Sequence, residues 1–147
     1  MRRAIAPDIS TFPADDAQLI GGHCAACEAT VFPNQDHCPN CSKGEMSEVL
    51  LPRTGTLVAW TTQGFLPGYP YKGEETQDSF RSFGMGLVQL DDVVRVEGRL
   101  TEGDPEKLDF GMPVELRIVP FYVDEQGDEI MTFAFAPVAD AAASRGA

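Results

Sequence analysis

Every cysteine of this 147-residue chain falls in one of two Cys-x-x-Cys pairs, Cys24 with Cys27 and Cys38 with Cys41. Each pair makes a tight knuckle. Two knuckles ten residues apart (28 to 37) can bring four thiolates onto one tetrahedral ion, and a closed four-thiolate set suits zinc in a structural role. Such a set leaves no coordination position for water, so the metal is expected to hold structure rather than to react. His23 and His37 each directly precede one of these cysteines and are alternative metal ligands by type, but with four thiolates completing the set they are expected beside the metal or at the surface.

The remaining chemistry is sparse. No Ser-His-Asp set and no Gly-x-Ser-x-Gly elbow can be assembled. Gly84-Met85-Gly86 resembles half a phosphate loop, but Gln89 stands where the third glycine would fall. The pair is better read as a bend or bulge in a strand. Catalysis by this chain alone is not expected.

The stretch from Gly64 to Gly73 concentrates aromatics among Pro67, Pro70 and three glycines, in a long irregular segment of the kind that is often functional. Phe65, Tyr69 and Tyr71 are candidates to stack a nucleotide base or to anchor a protein interface. Lys72, Arg53 and Arg81 are candidates to meet a phosphate or carboxylate. A surface loop packed on itself is the plain alternative.

The elements that must position these residues are mainly β. Residues 1–17 read as an arm with at most one turn, and residues 18–51 as a zinc ribbon. A module that small cannot bury enough apolar surface alone, so metal binding, on the order of 10–16 kcal/mol, must stabilise it. Residues 52–138 carry β-branched and aromatic runs bounded by turns. Strands are expected at 56–62, 80–90, 93–100, 113–120 and 129–137, with residues 63–79 irregular and a short helix at 104–110. In that helix Asp104 caps, Pro105 takes the first position and Gly111 stops the turn. Three strands, a helix and two strands is the element order of a five-stranded OB barrel, whose ligand face uses strands two and three and the loop after strand one. Another small barrel or a sandwich is the alternative. Residues 139–147 read as a frayed tail.

Composition narrows the partners. Twenty-three acidic and eleven basic residues leave a formal charge of −12, the opposite of a phosphate-binding footprint, so no nucleic-acid partner is expected. No stretch approaches the roughly 20 apolar residues of a membrane span. Pro7 and Asp8 interrupt the start before an export signal can form, and the metal-type cysteine pairs suit a reducing cytoplasm.

Cys24-x-x-Cys27 and Cys38-Pro39-x-Cys41, then Arg53-Thr54-Gly55-Thr56-Leu57-x-x-Trp60-Thr61, then Gly86-Leu87-Val88-x-Leu90 and Val94-Arg95-Val96-Glu97-Gly98-Arg99-Leu100, resemble one family in order across residues 18–137. It is the acyl-CoA-associated family that joins a rubredoxin-like zinc ribbon to an OB-fold domain. The resemblance implies a non-catalytic accessory subunit of a thiolase-like enzyme, working in a hetero-oligomer. The partner would be a ketothiolase, an acyltransferase or a steroid side-chain aldolase, and the CoA thioester its ligand. This chain departs from many relatives in carrying a short, proline-interrupted arm where they have a longer N-terminal helix. Two further readings from the residues are a stand-alone acyl-CoA or nucleotide-binding module and a single-strand nucleic-acid binder, the latter opposed by the charge.

Overall fold

The computed structural model describes residues 1–43 and 45–138. The expected tail at 139–147 and the Gly44 end of the second knuckle's turn lie outside the described residues. Among the described residues nine strands form two sheets.

The smaller sheet is the ribbon. Its middle strand is β2 (Ile20–Cys24), paired antiparallel with β3 (Thr30–Val31) on one side and β4 (Met46–Leu50) on the other. Gly21 and Gly22 in β2 allow a close approach, since a Cβ on Gly22 would sit 2.2 Å from Asn34 Oδ1. The larger sheet closes on itself. Its barrel strands are β5 (Thr54–Gln63), β6 (Phe83–Leu90), β7 (Val94–Leu100), β8 (Pro113–Val123) and β9 (Glu129–Pro137). They neighbour one another in the order β9-β7-β6-β5-β8, and β8 pairs back onto β9. This is the expected five-stranded barrel, with the parallel contact Arg99↔Ala134 and Leu100↔Phe135 between its third and fifth strands.

Alternation explains the core. Leu57, Val88, Leu90, Val96, Leu100, Val114, Leu116 and Phe135 point inward and are buried, each fully buried aliphatic side chain contributing about 1.5–3 kcal/mol. Leu19 and Leu51, which flank the ribbon sheet, belong to the same buried cluster. The ribbon therefore stands on the barrel core.

The strands depart from expectation in three places. Register shifts fall in β5, between Leu57 and Ala59, and in β8, between Pro120 and Tyr122, and not at Gly84-Met85-Gly86, which pair regularly in β6. Gly86 serves close packing: a Cβ there would lie 2.7 Å from Leu57 Cδ1 and 2.8 Å from Leu100 Cδ2. The expected helix is a 3-10 turn, Pro105–Lys107. Asp104 Oδ1 caps it by accepting from Glu106 N at 3.0 Å, but buried Leu108 is already extended and draws the chain back to the core.

The arm is the third departure, because it contains a strand. β1 (Arg2–Ala4) runs parallel to β9, with Arg2↔Glu129, Arg3↔Ile130 and Ala4↔Met131 in register. Ion pairs hold it: Arg2 to Glu129 at 3.1 Å, Arg3 Nε to Asp128 at 3.2 Å, and Arg3 to Asp124. Partial burial works against ionising Asp124, but hydrogen bonds from the Asp128 N–H, Arg3 and the Gln126 N–H outweigh it and hold this carboxyl below its ordinary range.

Candidate functional site

The two knuckles are built alike. In the first, Glu28 N donates to Cys24 O at 2.8 Å; in the second, Ser42 N donates to Cys38 O at 2.9 Å. The residue after each second cysteine is left-handed, Glu28 at φ 64° and Ser42 at φ 65°. These matching turns aim all four sulfurs at one point, where they lie within 4.8 Å of one another. Cys24 Sγ is 3.7 Å from Cys41 Sγ, and Cys27 Sγ is 3.6 Å from Cys38 Sγ.

Those separations discriminate. A disulfide needs about 2.05 Å, whereas zinc–sulfur bonds of about 2.3 Å imply a tetrahedron edge of about 3.8 Å. The donor set fits a structural zinc ion. The neighbouring donors also suit thiolates: Asn40 N lies 3.4 Å from Cys38 Sγ, and Asn40 Nδ2 lies 3.4 Å from Cys27 Sγ. The Asn40 amide is the main influence lowering Cys27 to about 6. The Cys27 N–H pulls Cys24 down, but burial and the adjoining sulfurs of Cys27 and Cys41 outweigh it and raise that thiol to about 11. Neither histidine joins the cluster. His23 Nδ1 sits 3.4 Å from Thr30 Oγ1, and His37 is exposed on a bridge to Glu45.

The aromatic loop divides into an anchored end and an open end. Tyr71 is anchored: its ring meets Phe121 edge-on at 5.5 Å, and its hydroxyl donates to Glu75 at 3.1 Å and accepts from Arg99 Nη1 at 3.5 Å. Burial raises the Tyr71 phenol above its ordinary value, keeping the donor protonated. Glu74 also ties the loop down by accepting from Val123 N at 2.9 Å. Phe65, 73% exposed, and Tyr69, 97% exposed, make no comparable contact and face outward with Lys72.

Beneath the anchored end lies a cleft of about 510 Å³, walled by Glu75, Arg81, Phe83, Arg99 and Phe121. The Arg99 guanidinium lies over the Phe83 ring at 3.8 Å, which fixes its orientation. Arg81 reaches this cleft from the loop, its Nη1 donating to Phe80 O at 3.0 Å. Arg53 does not. Its Nε donates to Ala17 O at 3.0 Å and its Nη2 to Leu116 O at 3.3 Å, stitching the ribbon's entry to the barrel. Sequence reasoning missed Arg99, Phe83 and Phe121. Arg99 carried one available signal, an outward position on strand three of an OB barrel.

Among the described residues no nucleophile, base and orienting group come together in the cleft, and no helix is long and apolar enough to cross a membrane. Two family models match the chain: "ChsH2, rubredoxin-like zinc ribbon domain" over residues 13–47 and "ChsH2, C-terminal OB-fold domain" over residues 48–119. A DUF35 domain-containing scaffold protein of Pyrococcus furiosus is 30% identical over 125 residues, covering 82% of this chain and 84% of that protein. One of the same description from Methanocaldococcus jannaschii is 28% identical, covering 80% and 78%. In fold the chain is similar to a solved chain described as the Ltp2-ChsH2(DUF35) aldolase, with TM-score 0.57 and 24% identity over 82% of this chain and 84% of that one. Ribbon, barrel and relatives agree, and the chain belongs to the DUF35 domain-containing scaffold family.

Proposed function

We propose that this chain is a non-catalytic accessory subunit that holds together a thiolase-fold acyl-CoA enzyme: a ketothiolase, an acyltransferase or a steroid side-chain aldolase. The observation that carries this reading is the fusion of a ribbon with a four-cysteine cluster to a barrel through one buried core. Such a body suits rigid positioning of another protein. The relatives support the reading by description, being called scaffold proteins in two archaea and part of an aldolase in a solved assembly.

The CoA portion of the substrate fits the cleft chemically. Arg81 offers a guanidinium group to phosphates, and Phe83 and Phe121 offer ring faces and edges to an adenine. Phe65 and Tyr69 suit contact with the partner. The proposed setting is the cytoplasm, in a hetero-oligomer.

Co-expression with the thiolase-fold proteins of the source genome tests the reading. A stable complex that elutes as one species with zinc bound is expected. Two proteins that elute apart at micromolar concentration would end it.

A further inference from the structure

The outer face of β6 is apolar where an antiparallel barrel strand facing water should be polar. Its inward positions are Gly84, Gly86, Val88 and Leu90, yet Phe83, Met85 and Leu87, all half-buried, occupy three of the four outward ones and only Gln89, at the far end, is polar. A strand apolar on both faces is the pattern of one covered on both faces. Cross-strand register extends the patch in two rows, Ala59–Leu87–Glu97 and Thr61–Met85–Arg99. All of these but Arg99, with Trp60, line a shallow groove of about 250 Å³.

The charges around this groove select its occupant. Arg95 is engaged, its Nε donating to Gln89 Oε1 at 2.8 Å. Arg99 is engaged by Phe83, Tyr71 and Glu75. Glu97, directly opposite Leu87, has no ion pair among the described residues. The open charge in this apolar patch is therefore negative, on a chain of net charge −12. A phosphate backbone finds no free cation there. A second copy of this chain, docked symmetrically, would bring two Glu97 carboxylates into one apolar contact.

We propose that the groove over β6 and β7 is the docking surface for the partner enzyme, and that it takes an apolar patch of that enzyme set around an Arg or Lys that pairs with Glu97. The inference rests on the accessory-subunit reading and assigns that reading its interface. Met85 and Leu87 supply the desolvated centre, and Glu97 supplies register and charge selection.

Light scattering on size-exclusion peaks, with titration by calorimetry, tests it against the thiolase-fold protein that co-purifies with this chain. Leu87→Glu and Glu97→Lys should each weaken assembly by about a hundredfold, the range of a hot spot. Val123→Lys, at an exposed apolar side chain outside the groove, should leave it unchanged. Zinc content and melting temperature report folding, and Glu97→Lys, on the exposed side of β7, keeps the test valid if Leu87→Glu misfolds. A wild-type complex indifferent to Glu97→Lys and to any folded Leu87 variant would overturn the docking surface while leaving the accessory role standing. No complex with wild-type protein would remove both. A wild-type homodimer broken by Leu87→Glu would assign the groove to a second copy and overturn the proposal.

Discussion

Phe32 of the ribbon meets Phe133 of the barrel edge to face, with ring centroids 5.7 Å apart at 89°. Both rings pack against the buried cluster that takes Leu19 and Leu51 from the ribbon's edges and Leu57 and Val88 from the barrel. The contact makes ribbon and barrel one mechanical body, which is what a scaffold requires. Phe32→Ala removes the ring pair and opens space above the core, and we expect a loss of about 2 kcal/mol for this half-buried ring. In calorimetry the single melting transition should split, with the ribbon step first.

Metal removal should reach past the ribbon. One zinc per chain is expected by elemental analysis, and chelation or Cys38→Ser should unfold β2 and β4. Because Leu19 and Leu51 continue into the barrel core, the barrel's melting temperature should fall as well. A barrel that melts unchanged after chelation would show the two parts to be independent.

The two knuckles predict a stabilising change. Glu28 and Ser42 hold φ near +65°, a left-handed conformation that costs a residue with a Cβ about 1 kcal/mol or more and costs glycine little. Glu28→Gly and Ser42→Gly should each raise metal-bound stability by up to about 1 kcal/mol, measured by denaturant titration. Destabilisation by both would mean that these side chains make compensating contacts.

Tyr69 and Tyr71, alike in the sequence, should behave as opposites. Tyr69→Ser removes an exposed ring and should leave the melting temperature unchanged while weakening partner contact. Tyr71→Phe removes a hydroxyl shared with Glu75 and Arg99 and should cost about 1–2 kcal/mol, loosening the loop over the cleft. Proteolysis within residues 64–82 would report that loosening.

The difference between those tyrosines shows where sequence reading stops. Both sit in a Pro- and Gly-rich loop, and only Phe121 and Arg99, distant in the chain, select Tyr71 as the anchor. The cysteine site was readable because its spacing is local, and the barrel because Val94, Val96 and Leu100 alternate. The strand at Arg2–Ala4 was not, since three residues without apolar alternation are held by ion pairs to Asp124, Asp128 and Glu129. Nor was the register shift beside Leu57, which depends on how β5 fits β6. Arg53 was a candidate ligand contact by residue type, yet its partners are the carbonyls of Ala17 and Leu116, which no local pattern announces.

On the proposed reading this chain supports catalysis performed by another. The most direct measurement is the turnover of the co-purified thiolase-fold enzyme on its acyl-CoA substrate, before and after this chain is stripped from it and then restored. This chain alone should be inactive, the stripped enzyme should lose at least about tenfold in kcat/KM, about 1.4 kcal/mol, and zinc-bound wild-type chain should restore it. Full turnover by the stripped enzyme, or turnover by this chain alone, would contradict that reading.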